Sequence, residues 1–181
     1  IFLKIFTRVK YSRFARKISP VQLLAFSTSS SAATLPLTME TAEEKLGINN
    51  ETSSFVLPLG ATINMDGTSL YQAVAAVFLA QVYGMDLGLS EQLTIILTAT
   101  LASIGSAAVP GAGMVMLIIV LTSVGIPTEG IALIFAVDRP LDMLRTSVNV
   151  TGDLTITSII AGSENQIDLN IANSEEILGN H

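Results

Sequence analysis

The sequence predicts an all-α integral membrane protein made of two re-entrant helical hairpins, one broken transmembrane helix and one polar-striped transmembrane helix. Three observations predict it. Asp138, Asp142, Arg145, Asn149 and Asp153 follow one another at offsets of four, three, four and four residues inside an otherwise apolar segment. At 100° per residue they share an arc of roughly 80° and form a stripe roughly 20 Å long. Leu, Met, Val and Ile fill the other faces, so the ionisable groups are expected to face a protein interior or cavity, as at a transport or relay site. Composition agrees: of 181 residues 50% are hydrophobic and 13% charged, mean hydropathy is +0.60, and residues 92–128 carry no charge. The third observation is that the apolar segments are interrupted near their middles by small and polar residues.

Taken in order, residues 1–17 form a basic flank holding six of the nine Lys and Arg: Lys4, Arg8, Lys10, Arg13, Arg16 and Lys17. The positive-inside rule makes this end cytoplasmic. No signal peptide and no initiator Met are visible, so the chain reads as a fragment. A transport domain spans 18–162. Its first hairpin, 18–46, runs from Leu23, Leu24 and Phe26 into the serines of 27–31 and resumes at Thr34, with Glu40, Glu43, Glu44 and Lys45 in its exit. Neither arm reaches the ~20 residues needed to span, so two short helices should meet at a Ser-rich tip. A soluble amphipathic pair is the plainer alternative.

Segment 53–83 is long enough to cross, but Asn64, Met65, Asp66, Gly67 and Thr68 interrupt its centre. Asn, Asp and Gly are poor helix interiors. An unwound turn there frees backbone carbonyls for a cation and leaves Asp66 as a buried anion beside a cavity. A loop between two shorter helices would account for the same residues. Segment 91–124 is apolar on both sides of 103–113, where Val109, Pro110, Gly111, Ala112 and Gly113 prevent helix continuation and make a second hairpin. Its exposed amides could hold an anion. A single kinked helix is the alternative. The last helix, 129–162, carries the stripe; Pro140 removes a donor within it and frees the carbonyl of Ala136. Residues 163–181, rich in Asn, Glu and Asp, read as a poorly ordered cytoplasmic tail.

Several functions are excluded or disfavoured. There is no Cys, which removes disulfides and thiolate sites, and the only His is His181, so histidine-based catalysis has no group to use. No enzyme is expected. A membrane aspartyl protease could employ Asp66 and Asp153 as an acid/base pair, but its Gly-x-Gly-Asp signature is absent and Arg145 would keep nearby carboxylates ionised. Nucleic acid is not an expected partner, because the basic cluster flanks a membrane and no phosphate-binding loop is present. The Asn50-Glu51-Thr52 sequon falls on the cytoplasmic side and is read as chance. An ion channel stays open as a rival, since broken helices and carbonyl rings also build filters. Discontinuous segments at corresponding places in two halves are the sequence sign of a secondary transporter.

Residues 29–36 (SSSAATLP), 64–68 (NMDGT), 105–113 (GSAAVPGAG) and 142–153 (DMLRTSVNVTGD) together resemble the dicarboxylate/amino acid:cation symporter family, the sodium- or proton-coupled glutamate/aspartate symporters. The resemblance covers about 19–161 in order and spacing. It implies the inverted-repeat transport domain of the glutamate-transporter fold, a symmetry already attributed to an archaeal relative. It implies that Arg145 pairs with the substrate's side-chain carboxylate through its planar fork, and that Asp142 takes the α-ammonium. Asn149 and Thr68 would add polar contacts; Ser31 and the amide near Val109 would receive the α-carboxylate. An internal ion pair between Arg145 and Asp142 at i, i+3 is the structural alternative.

The coupling ion implied is Na+ or H+. One sodium site would use carbonyls of Gly60, Asn64 and Asn149 with the Asp153 carboxylate; a second would use carbonyls around Thr62, Met65, Ser103, Ile104 and Ser106. Asp66 would belong, with Asn64, to a third whose other ligands lie earlier in the protein. The family further implies an acidic amino-acid substrate, a lipid bilayer, a missing N-terminal scaffold half and a homotrimer, working by an elevator-type alternating access. Gln72 stands where potassium-coupled animal relatives carry a glutamate, which points to a prokaryotic type in a bacterial inner membrane without potassium countertransport. Ser29 stands where some archaeal members have an arginine, so the guanidinium is expected from the last helix. A C4-dicarboxylate substrate and an anion-conducting channel stay open beside acidic amino-acid symport.

Overall fold

A computed structural model describes residues 2–175. Its helices are α1 (Phe2–Thr7), α2 (Tyr11–Thr28), α3 (Ser31–Glu40), α4 (Asn50–Ile63), α5 (Asp66–Val82), α6 (Leu89–Ile104), α7 (Ala112–Ser123), α8 (Ile131–Ser163) and α9 (Leu169–Ala172). A π-helical turn (Thr41–Lys45) extends α3, and a 3-10 turn (Thr128–Gly130) precedes α8. Among the described residues the only β pairing is one antiparallel bridge, Ile48 to Ile167.

Local chemistry places the breaks. α2 ends where Ser29 adopts φ 52°, and Ser30 begins α3 by accepting the Ala33 N–H on its Oγ at 3.1 Å. The break between α4 and α5 falls on Asn64 and Met65, both outside helical geometry, with ψ of 75° and 51°. Gly111, at φ 79°, turns the chain from α6 into α7; only glycine takes that conformation without strain. α8 runs through Pro140 without interruption for 33 residues.

Two apolar cores flank the centre of α8. One gathers Phe14, Ile18, Val21, Leu57, Val150 and Leu154 from α2, α4 and the second half of α8; α1 and α9 close it with Leu3 and Ala172. The other gathers Tyr71, Ala76, Leu79, Ile95, Leu117 and Ile134 from α5, α6, α7 and the start of α8. Alanines at 75, 76, 80, 99 and 102 let α5 and α6 approach closely. The polar stripe of α8 therefore lies between the two cores. Ser and Thr hydroxyls in the helices mostly donate to the carbonyl four residues back, as Thr146 does to Asp142 (2.9 Å), which satisfies them without water.

Among the described residues no helix is long and apolar enough to cross a membrane. α8 has the length, but Asp138, Arg139, Asp142 and Arg145 crowd its first half; α6 and α7 are apolar but have 16 and 12 residues. The outer surface is nonetheless rich in exposed apolar groups, including Phe55, Phe135, Leu89, Leu23 and Val115.

Both ends differ from the expected flank and tail. The basic stretch is folded: Leu3, Val9 and Phe14 are buried, and α2 starts at Tyr11, well before residue 18. Lys17 is itself buried, its Nζ donating to the carbonyls of Lys45 (2.9 Å) and Ile171 and meeting Ser174 Oγ at 3.0 Å. Those carbonyls end the π-helical turn and α9, where a cation is favoured. The described part of the tail, up to residue 175, folds back rather than hanging free. Asp168 N–H donates to Gly47 O (2.8 Å), Asn49 N–H to Gln166 O (3.0 Å), and Arg13 pairs with Glu175. Residues 176–181, with His181, lie outside the described residues.

Candidate substrate and cation site

The two hairpin tips, the α4/α5 break and the middle of α8 converge on one polar cluster. Ser30 Oγ donates to Ala108 O at 2.7 Å and Ala32 N–H to the same carbonyl at 3.5 Å, so the tips touch. Beneath that contact a cavity of about 20 Å³ is lined by Ser31, Met65, Thr68, Val109, Asp142 and Asn149, among others. It has room for about one water. A larger open groove of about 580 Å³ runs between α5 and α8, but its lining is apolar apart from Arg145 and the Tyr71 hydroxyl.

Arg145 is the centre of charge. It is 5% exposed, its Nη2 lies 2.8 Å from Asp142 Oδ1 and 3.2 Å from Asp138 Oδ1, and its Cζ stands 3.9 Å above the Tyr71 ring. Nε and Nη1 are buried without any hydrogen-bond partner. A buried guanidinium with two nitrogens unsatisfied is costly unless a ligand completes it. Gly113 makes the room: a Cβ there would come within 2.6 Å of Nη1. The ion pair with Asp142 that the sequence offered as an alternative is present, so the two aspartates hold Arg145 in this state. Asp142 Oδ2 also accepts the Gly111 N–H at 2.9 Å, fastening the second hairpin to α8.

Asn149 joins α8 to the chain break. Its Oδ1 accepts the Gly67 N–H at 2.7 Å, and its Nδ2 lies 3.2 Å from both Thr68 Oγ1 and Met65 Sδ. One turn further, buried Asp153 accepts from Asn64 Nδ2 at 3.0 Å; a Cβ on Gly60 would stand 2.7 Å from its Oδ1. Gly60, Asn64 and Asp153 are thus brought together, with Asn149 one turn away on the same face. Among the described residues no three His, Cys, Asp or Glu side chains converge as metal ligands. A cation at Asp153 would draw its other oxygens from carbonyls, the ligand type a hard cation accepts.

The second expected ion set is less tightly assembled. Met65 and Ser106 are buried on the small cavity, and Ser103, three residues before Ser106, is buried with its hydroxyl bonded to Thr100 O at 2.8 Å. Thr62 and Ile104 have exposed side chains, so any part they take is through their carbonyls. Asp66, expected buried, is exposed on a groove shared with Gln22, Ser147, Thr151 and Thr155, because no element of these residues covers that face. Sequence reasoning passed over Tyr71, whose hydroxyl donates to Asp138 at 3.0 Å; it placed Ser30, Gly111 and Gly113 at the hairpin tips without their contacts to Ala108, Asp142 and Arg145. Tyr71 stands three residues beyond Thr68, on the same helical face, which is the signal that marked it. Gln72 is wholly buried, its Nε2 donating to Gly113 O at 3.1 Å and its Oε1 unpartnered.

A family model described as the sodium:dicarboxylate symporter family matches residues 1–163. The chain belongs to that family. It is 55% identical over 148 residues to excitatory amino acid transporter 3 of Mus musculus, covering 82% of this chain and 28% of that protein. It is 52% identical to an excitatory amino acid transporter of Caenorhabditis elegans (81% and 29%) and 53% identical to excitatory amino acid transporter 2 of Homo sapiens (81% and 26%). This family member thus spans under a third of the length of these relatives. All three are animal proteins.

Proposed function

We propose that this chain is the carboxy-terminal transport half of a secondary active symporter that carries acidic amino acids with sodium across the plasma membrane. The observation that carries the reading is Arg145: a buried guanidinium, two nitrogens unpartnered, against Gly113 of the second hairpin and beside a carboxylate suited to an ammonium. An acidic amino acid presents the matching groups. Its side-chain carboxylate would complete Arg145, and its ammonium would take Asp142 as Arg145 turns from it. Thr68 and Asn149 would position the substrate, and Ser31 with the amide near Val109 would receive the α-carboxylate.

Na+ is cargo in this reading. Gly60, Asn64, Asn149 and Asp153 would hold one ion; carbonyls of Thr62, Met65, Ser103, Ile104 and Ser106 would hold a second; Asp66 would join a third completed by residues outside this chain. Because each set draws on separate elements, ion binding would bias the second hairpin toward closure, which couples ion to substrate. Protons are the alternative coupling ion through the same carboxylates. The names of the relatives support excitatory amino acids as substrates. The remaining parts follow the family: residues 18–162 as the moving transport domain, a scaffold half before it, a homotrimer, and an elevator movement of the site. The test is uptake of radiolabelled aspartate by proteoliposomes holding the full-length protein, under separate sodium and proton gradients. Sodium-driven concentrative uptake is expected. Downhill flux alone would favour a channel, and uptake driven only by protons would remove the sodium sites.

A further inference from the structure

We infer that Arg139 is a second, outer guanidinium of the site that attracts the anionic substrate and holds the outer oxygen of Asp142 when Arg145 turns to the substrate; this rests on the reading above. The charges motivate it. Asp138 and Asp142 are 13% and 10% exposed and Arg145 5%, so the inner cluster holds two carboxylates against one guanidinium. One negative charge is left over, in a place that must receive an anion. Arg139 supplies the missing cation. Its Nη1 stands 4.0 Å from Asp142 Oδ2, and its side chain is 59% exposed, reaching outward from the cluster.

Geometry separates the roles of the two arginines. Arg145 meets Asp142 through Oδ1, whereas Arg139 approaches Oδ2, the oxygen that also accepts the Gly111 N–H of the second hairpin. The outer guanidinium thus stands beside the same carboxylate oxygen that fastens the hairpin tip to α8. When a substrate carboxylate draws Arg145 from Asp142 Oδ1 and the substrate ammonium takes its place there, Arg139 is 4.0 Å from Oδ2 and need only close the gap to hold that second oxygen. An exposed cation beside the site also raises the local concentration of anions, and salt screens that attraction. Arg139 is a positioning residue by this account, because the buried guanidinium makes the lasting contact.

The test is the initial rate of sodium-driven aspartate uptake by full-length protein in proteoliposomes, comparing wild type, Arg139→Gln and Arg139→Lys. Sodium is held constant while choline chloride raises ionic strength from about 0.05 M to about 0.5 M, where the Debye length falls well below 10 Å. Arg139→Gln is expected to raise KM roughly 3- to 10-fold at low ionic strength with Vmax within about twofold, the gap closing at high ionic strength. Arg139→Lys should restore most of the loss. An unchanged KM at low ionic strength overturns the inference while leaving the symporter reading intact. So does a KM gap that salt and lysine do not alter, since that marks a structural role. Silence of the wild type under a sodium gradient overturns the symporter reading and the inference with it.

Discussion

At the scale of single residues, the site is defined by which polar atoms have partners. Arg145→Ala should lower acidic substrate affinity about 100-fold, the value of charge-assisted hydrogen bonds lost, while sodium binding survives. Binding titration with aspartate and with sodium separates the two, and retained aspartate affinity would end the assignment. Gly113→Ala is subtler. Its methyl group would stand 2.6 Å from Nη1 and 3.2 Å from Thr68 Cγ2, so the guanidinium must shift. Substrate affinity should fall roughly tenfold without loss of the fold. Asp153→Asn removes the carboxylate that accepts from Asn64 and lies against Gly60; half-maximal sodium for uptake should rise roughly tenfold. An unaltered sodium response would leave that ion site without support. The stripe residues were legible because their 4-3-4-4 spacing survives any packing. Spacing put Tyr71 on the face of Thr68 and Gly113 at a hairpin tip, but a ring beneath a guanidinium and a missing Cβ beside it are facts of tertiary geometry.

At the scale of elements, breaks were legible and edges were not. The Ser-rich tip, the 64–68 interruption and the Gly-Pro tip each use residues that refuse helix, and each break falls there. The packing of the chain's ends was not legible from their charge. Six cations in 17 residues read as a flank, yet Leu3, Val9, Phe14 and the stem of Lys17 are packed inside, a folded terminus that composition conceals. The returning segment 166–175 makes its own prediction. Arg13 holds the Glu175 carboxyl below the ordinary glutamate range, with Arg16 and Lys10 adding to the pull. Since the folded pKa is depressed, the contact contributes above the unfolded value and is lost as pH falls through the folded one. Protection of residues 166–175 against hydrogen exchange, relative to the intrinsic rate at each pH, should therefore fall at pH below about 4, and Glu175→Gln should abolish that change. A pH-independent protection in the wild type would show that the ion pair plays no part.

At the scale of the whole molecule, the apolar exterior and the polar interior stripe reverse the arrangement of a water-soluble protein. Phe55, Phe135 and Leu89, each more than 70% exposed, have no aqueous role. The 181-residue chain expressed alone should partition into membranes and resist alkaline carbonate extraction; recovery as a monodisperse species in detergent-free buffer would contradict the membrane reading. Membrane character was legible from composition, although no single helix of the described residues carries it. What composition could not give was the pairing of two apolar cores around one polar seam.

The contact between the hairpin tips sets an equilibrium. Both tip-to-tip hydrogen bonds end on one carbonyl, that of Ala108, and one of them is long at 3.5 Å. Net values of about 1 kcal/mol for a good bond and less for a poor one make parting of that seam cost roughly 1–2 kcal/mol. A separation of that size leaves on the order of one copy in ten unlatched at any moment. Admission to the cavity would then be a frequent thermal event, and bound cargo would act by making the latched majority larger.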